Sequence, residues 1–479
     1  MAENTTNNNI QNWRPTEPEP LSFKEGLLRA RSHIIFILGL ITAFTIIIKL
    51  EAWKSDEQTT VKAEPIQAPI QSSEVHTPRE QKDFLLAKSE NIPAPARAAL
   101  SAEEKQWAQT AWKYFENNTN AETGLVNSVD NYASTTMWDM GSYFMALISA
   151  YRLEIIPKAE FDQRLDKALA TLQKVPLFDN SVPNKAYNTA TGRMTDYRNQ
   201  PSEKGIGWSA LDLGRFLVPM NIIVWNYPSH AAQVRGLLSR WNFQSVVNNG
   251  ILYGSGVDTT GKKTIWQEGR LGYEQYAAKP FNTLGLDVSN AIRYDRHFAT
   301  MNVNDIEIGF DNRTPEEWHA QNYVLSEPYI LDGLEYGGDI TSRELAWRIY
   351  RAQEERFKKT GILTAATEDH VDREPYFVYN TVFSGGQAWR CMSPSGKDFP
   401  ELRSLSTKAA FGWHALYNTD YTKKLISKIQ SLKDPARGWY GGVYENNNQT
   451  NKAISCNTNA VILEALAYKK FGQANNLKN

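Results

Sequence analysis

Ser134-Thr-Thr-Met-Trp-Asp139-Met-Gly-Ser-Tyr-Phe-Met-Ala-Leu-Ile-Ser-Ala-Tyr151 is apolar on nearly every side and carries one carboxylate in its first turn. A surface helix keeps a polar face for water, so a helix that is apolar all round must be enclosed by other elements. The stretch predicts an inner helix with Asp139 as a buried acid. Thr136 and Asp139 also read as a capping box, Thr at the N-cap and an acid at N3, which alone would give Asp139 a purely structural task. Recurrence decides between cap and catalyst, because the same arrangement returns along the chain.

Six segments share a polar or glycine-containing start followed by an apolar helix: Ser134 to Tyr151, Gly207 to about Val224, Gly272 to Leu286, Ser326 to Tyr336, Ser406 to Tyr417 and Ser455 to Tyr468. Between or before them lie more charged, amphipathic stretches at Ala102 to Phe115, Lys158 to Gln173, Ser229 to Trp241, Thr341 to Lys359 and Tyr421 to Leu432. A weaker stretch at Thr314 to Tyr323 completes the second set. Alternation of enclosed and half-exposed helices predicts an all-α (α/α)6 barrel, six inner helices running one way and six outer ones returning. Strand-like pieces fall in its loops: a hairpin over Leu252 to Trp266 around a Gly-rich turn, a strand over Tyr376 to Phe383, and a weaker one within Asn184 to Tyr197.

The remainder of the 479 residues sets the context. Residues 1–32 are polar, with Lys24, Arg29 and Arg31 just ahead of an apolar run from Ile34 to Leu50. That run is about the least that crosses a bilayer. Its basic flank comes first and no small-residue cleavage site follows, so residues 33–52 read as an uncleaved signal anchor. Everything after it is then sent across the membrane, with residues 1–32 left in the cytoplasm. Residues 53–100, with Pro65, Pro69, Pro78, Pro93 and Pro95 among Glu, Gln, Ser and Lys, read as a disordered linker, and 101–479 as the barrel domain. Lys+Arg 52 against Asp+Glu 53 gives no charge excess of the kind nucleic acid selects. Cys391 and Cys456 fit no metal spacing; they read as two buried thiols, with pairing in an oxidising compartment as the alternative. No His pattern indicates a metal, no G-x-S-x-G elbow indicates a serine nucleophile, and no cofactor is expected.

If the inner helices are parallel, Asp139, Asp212, Glu274, Glu327 and Asn457 meet at one mouth. Helix N-termini favour anions individually; a ring of them raises the pKa of at least one through repulsion and burial. Two acids in unlike environments are what glycosidic cleavage uses. Glu274, between Tyr273 and Tyr276, is the expected general acid, and Asp139 the general base of an inverting hydrolase. Glu327 and Asp369 are substitutes; Asp212 is expected to be structural, held by Arg215 or another base, and Glu335 to be a buried bridging acid, both staying among the possible alternatives for the catalytic pair. With 11% aromatic residues and 14 Trp, the mouth is expected to bind sugar through Trp138, Tyr143, Trp208, Tyr273, Tyr276, Tyr329 and Tyr379, with Asn457 and Asn459.

Residues Ala102 to Phe471 resemble the bacterial domain family of unknown function numbered 3131. The resemblance is carried by Trp138-Asp-Met-Gly-Ser-Tyr143, Trp208-Ser-Ala-Leu-Asp-Leu-Gly-Arg215, Glu327-Pro-Tyr-Ile-Leu-Asp-Gly-Leu-Glu335, Pro375-Tyr-Phe-Val-Tyr-Asn-Thr381 and Asn457-Thr-Asn-Ala-Val-Ile-Leu-Glu-Ala-Leu466. It implies an envelope polysaccharide setting, with a glycan synthase or export complex as partner, and so, with the anchor, a single-pass protein of a bacterial inner membrane whose barrel lies in the periplasm. Gly272-Tyr-Glu-Gln-Tyr276 is similar to the Tyr-Asn-Glu segment of glucoamylase-like bacterial β-1,2-glucanases, also (α/α)6 barrels, whose glutamate is the general acid; here Gln275 follows Glu274 and no Asn precedes it. The expectation is a membrane-anchored hydrolase of an exopolysaccharide or periplasmic glucan. A catalytically silent barrel that binds glycan or scaffolds a secretion complex is the alternative.

Overall fold

The computed structural model describes residues 86–95, 97–258, 260–318 and 321–475. The expected membrane span and most of the expected linker lie outside these residues. Among the described residues no helix is long and apolar enough to cross a membrane.

In chain order the α-helices are α1 (Ala102–Asn118), α2 (Met137–Arg152), α3 (Lys158–Leu172), α4 (Ala210–Asn226), α5 (Ala231–Leu238), α6 (Tyr273–Thr283), α7 (Pro315–Trp318), α8 (Glu327–Tyr336), α9 (Ile340–Thr360), α10 (Thr407–Tyr417), α11 (Asp420–Ile429) and α12 (Cys456–Phe471). The even-numbered helices form a ring. Each packs on the next, and α12 returns to pack on α2. Their sequences dictate this position, because burial runs almost without a break from Met137 to Ala150, from Leu213 to Ile223 and from Cys456 to Ala467. Small residues permit the close approach. A Cβ on Gly141 of α2 would sit 2.8 Å from the Arg215 carbonyl oxygen of α4, and one on Gly214 would sit 2.6 Å from the Ala277 Cβ of α6. Hydroxyl caps start four inner helices: Thr136, Ser209, Ser406 and Ser455 each accept the N–H of the third helical residue.

A charged knot ties the ring together inside. Arg215 of α4 is 0% exposed and pairs with Glu335 of α8 and, at 2.6 Å, with Glu464 of α12. Its guanidinium also meets the Tyr276 hydroxyl of α6 at 2.9 Å and Ser142 Oγ of α2 at 3.4 Å. Arg215 was expected to hold Asp212; the interior claims it instead, since its side chain points to the acids of α8 and α12.

Outside the ring, α1 lies on α12 and α2, α3 on α2, α5 on α4, α9 on α8, and α11 on α10. The sixth outer position departs from expectation. Only the four-residue α7 forms near Thr314 to Tyr323, and the hairpin Phe298–Val303 with Ile306–Asp311 packs on α9. Its two-residue turn, Asn304-Asp305, has positive φ at both positions (54° and 66°), the geometry of a tight hairpin turn. Other short antiparallel strands occupy the loops, several directly ahead of inner helices: Ser134–Thr135 before α2, Lys263–Gln267 before α6 and Ser404–Ser406 before α10. The hairpin expected over Leu252 to Trp266 is present as Ile251–Val257 with Lys263–Gln267.

Residues 86–95 and 97–100, expected to belong to the linker, lie on the domain. Leu86 is buried, Ser89 donates through its N–H and hydroxyl to the Glu344 carboxylate of α9 (2.9 and 2.7 Å), and Ala98 N–H donates to the Lys469 carbonyl of α12 at 2.9 Å. Cys391 and Cys456 are buried free thiols.

Candidate functional site

The N-terminal turns of the inner helices meet at one end of the ring, beside the loop strands: Asn457 and Lys408 both reach Glu327, and Tyr273 reaches Glu368. Two acid groups lie there. In the first, Asp139 at N3 of α2 receives the hydroxyls of Ser128 (2.5 Å) and Thr136 (2.8 Å), both on Oδ2. Asp212 at N3 of α4 is half-buried and accepts the Ser209 hydroxyl at 3.0 Å. Glu268, on the loop just ahead of α6, also half-buried, accepts the Ala210 N–H at the start of α4. Burial, then the charges of Glu268 and Asp139, push the Asp212 carboxyl up to about 7. Burial raises Glu268 too, against Lys185 and the N–H groups of Ala210 and Leu211. The N–H donors oppose the effect of burial on Glu268, and negative charge on Glu268 favours the proton on Asp212.

The second group surrounds Lys408 of α10, which is 3% exposed. Its ammonium contacts the Glu327 carboxylate of α8 and lies 4.0 Å from Asp369. Burial works against the lysine charge, but Glu327, Asp369 and Glu368 outweigh it and raise its pKa. Asn457 of α12 donates to Glu327 at 2.5 Å, and Tyr273 of α6 donates to Glu368. One ammonium cannot balance three buried carboxylates: burial and Glu327 raise Glu368, and burial pushes Asp369 up to about 7. Asp369 Oδ2 is buried and has no hydrogen-bond partner among the described residues.

Half-buried His370 and Tyr379 connect the groups: His370 feels the charges of Asp139, Lys408 and Glu327, and Tyr379 those of Glu368 and Asp212. Aromatic rings stand beside the acids. Tyr379 stacks on Tyr323 with centroids 3.9 Å apart, and the half-buried Trp138 meets Tyr273 edge-on at 5.8 Å. On the side of Glu268, Lys185 lies 5.0 Å over the Trp266 ring.

Several expected residues are elsewhere. Glu274, expected as the general acid, is 4% exposed and points to the outer hairpin, where Arg313 donates to it at 2.7 Å and Gln267 at 3.1 Å. Arg313 also pairs with Asp311 at 2.6 Å. Successive helical residues point about 100° apart, so with Tyr273 turned to Glu368, Glu274 faces away from it. Tyr143, 0% exposed, stacks on Phe115; Trp208 donates to the Tyr253 carbonyl at 2.8 Å; Tyr276 bonds Arg215 and Glu335. With Tyr329, also buried, these rings are core and out of reach of a ligand. Asn459 is sealed inside, accepting the Trp439 N–H at 2.9 Å, and Asn457 positions Glu327. Glu335 is the buried bridge to Arg215.

Sequence reasoning missed Glu268, Glu368, Lys408 and Tyr323. Glu268 had a signal, since Gln267-Glu268-Gly269 sits at a helix start like the other acids. Among the described residues no three His, Cys, Asp or Glu side chains are grouped as a metal ion requires.

The fold is shared with solved structures. An endo-β-1,2-glucanase from Chitinophaga pinensis in complex with sophorotriose and glucose is similar with TM-score 0.54 and 13% identity, covering 78% of this chain and 94% of that one. A putative glucoamylase from Bacteroides caccae gives 0.55 and 13%, covering 77% and 93%. An endo-β-1,2-glucanase from Talaromyces funiculosus in complex with β-1,2-glucan gives 0.52 and 11%, covering 78% and 84%. No curated protein matches the sequence. The match at the level of family covers residues 106–472, nearly the whole ring and the acids at its helix starts, and places the chain in the family described as protein of unknown function (DUF3131).

Proposed function

We propose that the chain is a glycoside hydrolase that cuts an exopolysaccharide or periplasmic glucan, with Asp212 as proton donor and Asp139 as base. The observation that carries this reading is the half-buried carboxyl of Asp212, pushed up to about 7 by burial and the charge of Glu268, beside Asp139 and near the Tyr379 ring. A carboxyl that keeps its proton and a second carboxyl that takes one are the working parts of acid–base glycoside cleavage. At neutral pH Asp212 retains a proton to give to a leaving oxygen, and Asp139 Oδ1, to which nothing donates among the described residues, remains available to a water. The solved structures of like fold add support for the substrate class: two are endo-β-1,2-glucanases in complex with glucan or sophorotriose, which makes β-1,2-glucan the first polymer to try. The sequence supplies the setting: residues 33–52 anchor the domain on the periplasmic face of a bacterial inner membrane, where a glycan synthase or export complex is the natural partner.

The test is turnover of β-1,2-glucan and a panel of other glycans by the full chain and two variants. Asp139→Asn should lower kcat by about 100-fold or more, the usual contribution of a general base. Glu274→Gln should leave kcat within a few-fold of wild type, because Glu274 is bound to Arg313. The opposite pattern would restore Glu274 as the acid and remove Asp212 from that role. Binding without turnover in the wild type would identify the silent barrel.

A further inference from the structure

Tyr197 is 61% exposed, one of the most open large side chains of the domain. It lies on a tight turn in which Asp196 Oδ1 accepts the N–H groups of Arg198 (2.9 Å) and Gln200 (2.8 Å). The turn follows the strand Met194–Thr195, the last of a three-stranded sheet whose first strand, Ser134–Thr135, runs into α2. Register brings it to the start of α2: Thr135 lies opposite Tyr187, and Ala186 opposite Thr195. The ring therefore hangs at the mouth on a fixed support. Its hydroxyl makes no hydrogen bond among the described residues; the turn is secured by its backbone, whose Tyr197 carbonyl accepts the Tyr132 hydroxyl at 3.3 Å. Partial burial, then the charges of Asp212 and Glu268, raise the pKa of that hydroxyl. The Tyr379–Tyr323 stack stands nearby, and Tyr379 feels both Tyr197 and Asp212.

An open ring on a fixed turn presents a flat apolar face beside the acids. We infer that Tyr197 is a stacking platform for one sugar ring of the bound glycan at the position bordering Asp212, and that it sets affinity for the chain being cut. This rests on the hydrolase reading above. The face is built for a pyranose, whose axial C–H groups cover an aromatic ring while its hydroxyls reach the surrounding carboxyl and amide groups. Tyr197 is a binding residue, so its loss should fall on KM and leave kcat nearly unchanged.

The experiment compares the full chain with Tyr197→Ala, Tyr197→Phe and Tyr197→Trp on the glycan that the wild type cleaves, together with calorimetric titration of that glycan into Asp212→Asn with and without Tyr197→Ala. Covering one face of the ring is expected to change KM and Kd by about ten-fold in the alanine variant. The phenylalanine and tryptophan variants should stay close to wild type, and none should lose melting temperature. Wild-type KM in the alanine variant, with turnover intact, overturns the platform and leaves the hydrolase standing. A loss of kcat alone also overturns it, since that would give Tyr197 a part in the chemistry. A wild type that neither cleaves nor binds any glycan overturns both.

Discussion

Replacing Asp212 by Asn sets stability against activity in a way that tells a proton donor from a helix cap. The carboxyl is raised from 3.8 to about 7, roughly three units at about 1.4 kcal/mol each, or at most about 4 kcal/mol. For an acid the raised value means that the folded chain holds a proton between pH 4 and 7 that the unfolded chain has released. Stability therefore falls as pH rises through that window and levels off above about 7. Asparagine carries no such proton and escapes the loss, while weakening the bond from Ser209 by about 1 kcal/mol. At pH 8 the variant should be more stable than wild type by about 3 kcal/mol, and its advantage at pH 5 should be smaller by about 2–3 kcal/mol. Guanidinium unfolding followed by tryptophan fluorescence at the two pH values measures this. In parallel kcat should drop by about 100-fold or more, and wild-type activity should decline as pH rises through about 7. If Asp212 only caps α4, the variant will be less stable at both pH values and fully active. That result would refute the assignment.

Two further substitutions probe the ring. Arg215→Met leaves Glu335 and Glu464 buried without their cation; a loss of about 3–5 kcal/mol is expected in denaturant titration, partly recovered when Glu335→Gln is added. Gly214→Ala forces a methyl group against Ala277 at 2.6 Å and should cost about 1–3 kcal/mol. Gly236→Ala in the outer helix α5, whose nearest neighbour is Gln173 at 3.6 Å, should be neutral or stabilise by up to about 1 kcal/mol in the same assay.

What could be read in advance follows from what periodicity encodes. Six apolar stretches with polar starts located the inner helices because an enclosed helix must be apolar on all sides, and that property is written in consecutive residues. The sixth outer position was misread at Thr314 because the signal lay earlier, in the turn Asn304-Asp305 between two alternating runs. Acids were legible as helix-start residues, but their directions were not. Pairing each acid with its aromatic neighbour treats adjacent helical residues as if they faced one way; Tyr273 turns to Glu368 while Glu274 turns to Arg313. Arg313 lies 39 residues beyond Glu274, and no local pattern announces such a partner. The aromatic rings divide for the same reason. Trp138 and Tyr379 keep part of their surface open, whereas Tyr143 and Tyr276, on inner helices like Trp138, point into the core.

The contact of α12 with α2 joins segments more than three hundred residues apart, and it has a bearing on how the chain acquires its shape. Synthesis delivers the first inner helix long before the last, so the apolar flank of α2 must wait, uncovered, until residues 456–471 emerge. Contacts of such sequence separation are slow to form. Removing those final turns would do more than shorten the domain: it would leave a broken circle, with Glu327 deprived of Asn457 and Arg215 of one of its two acids.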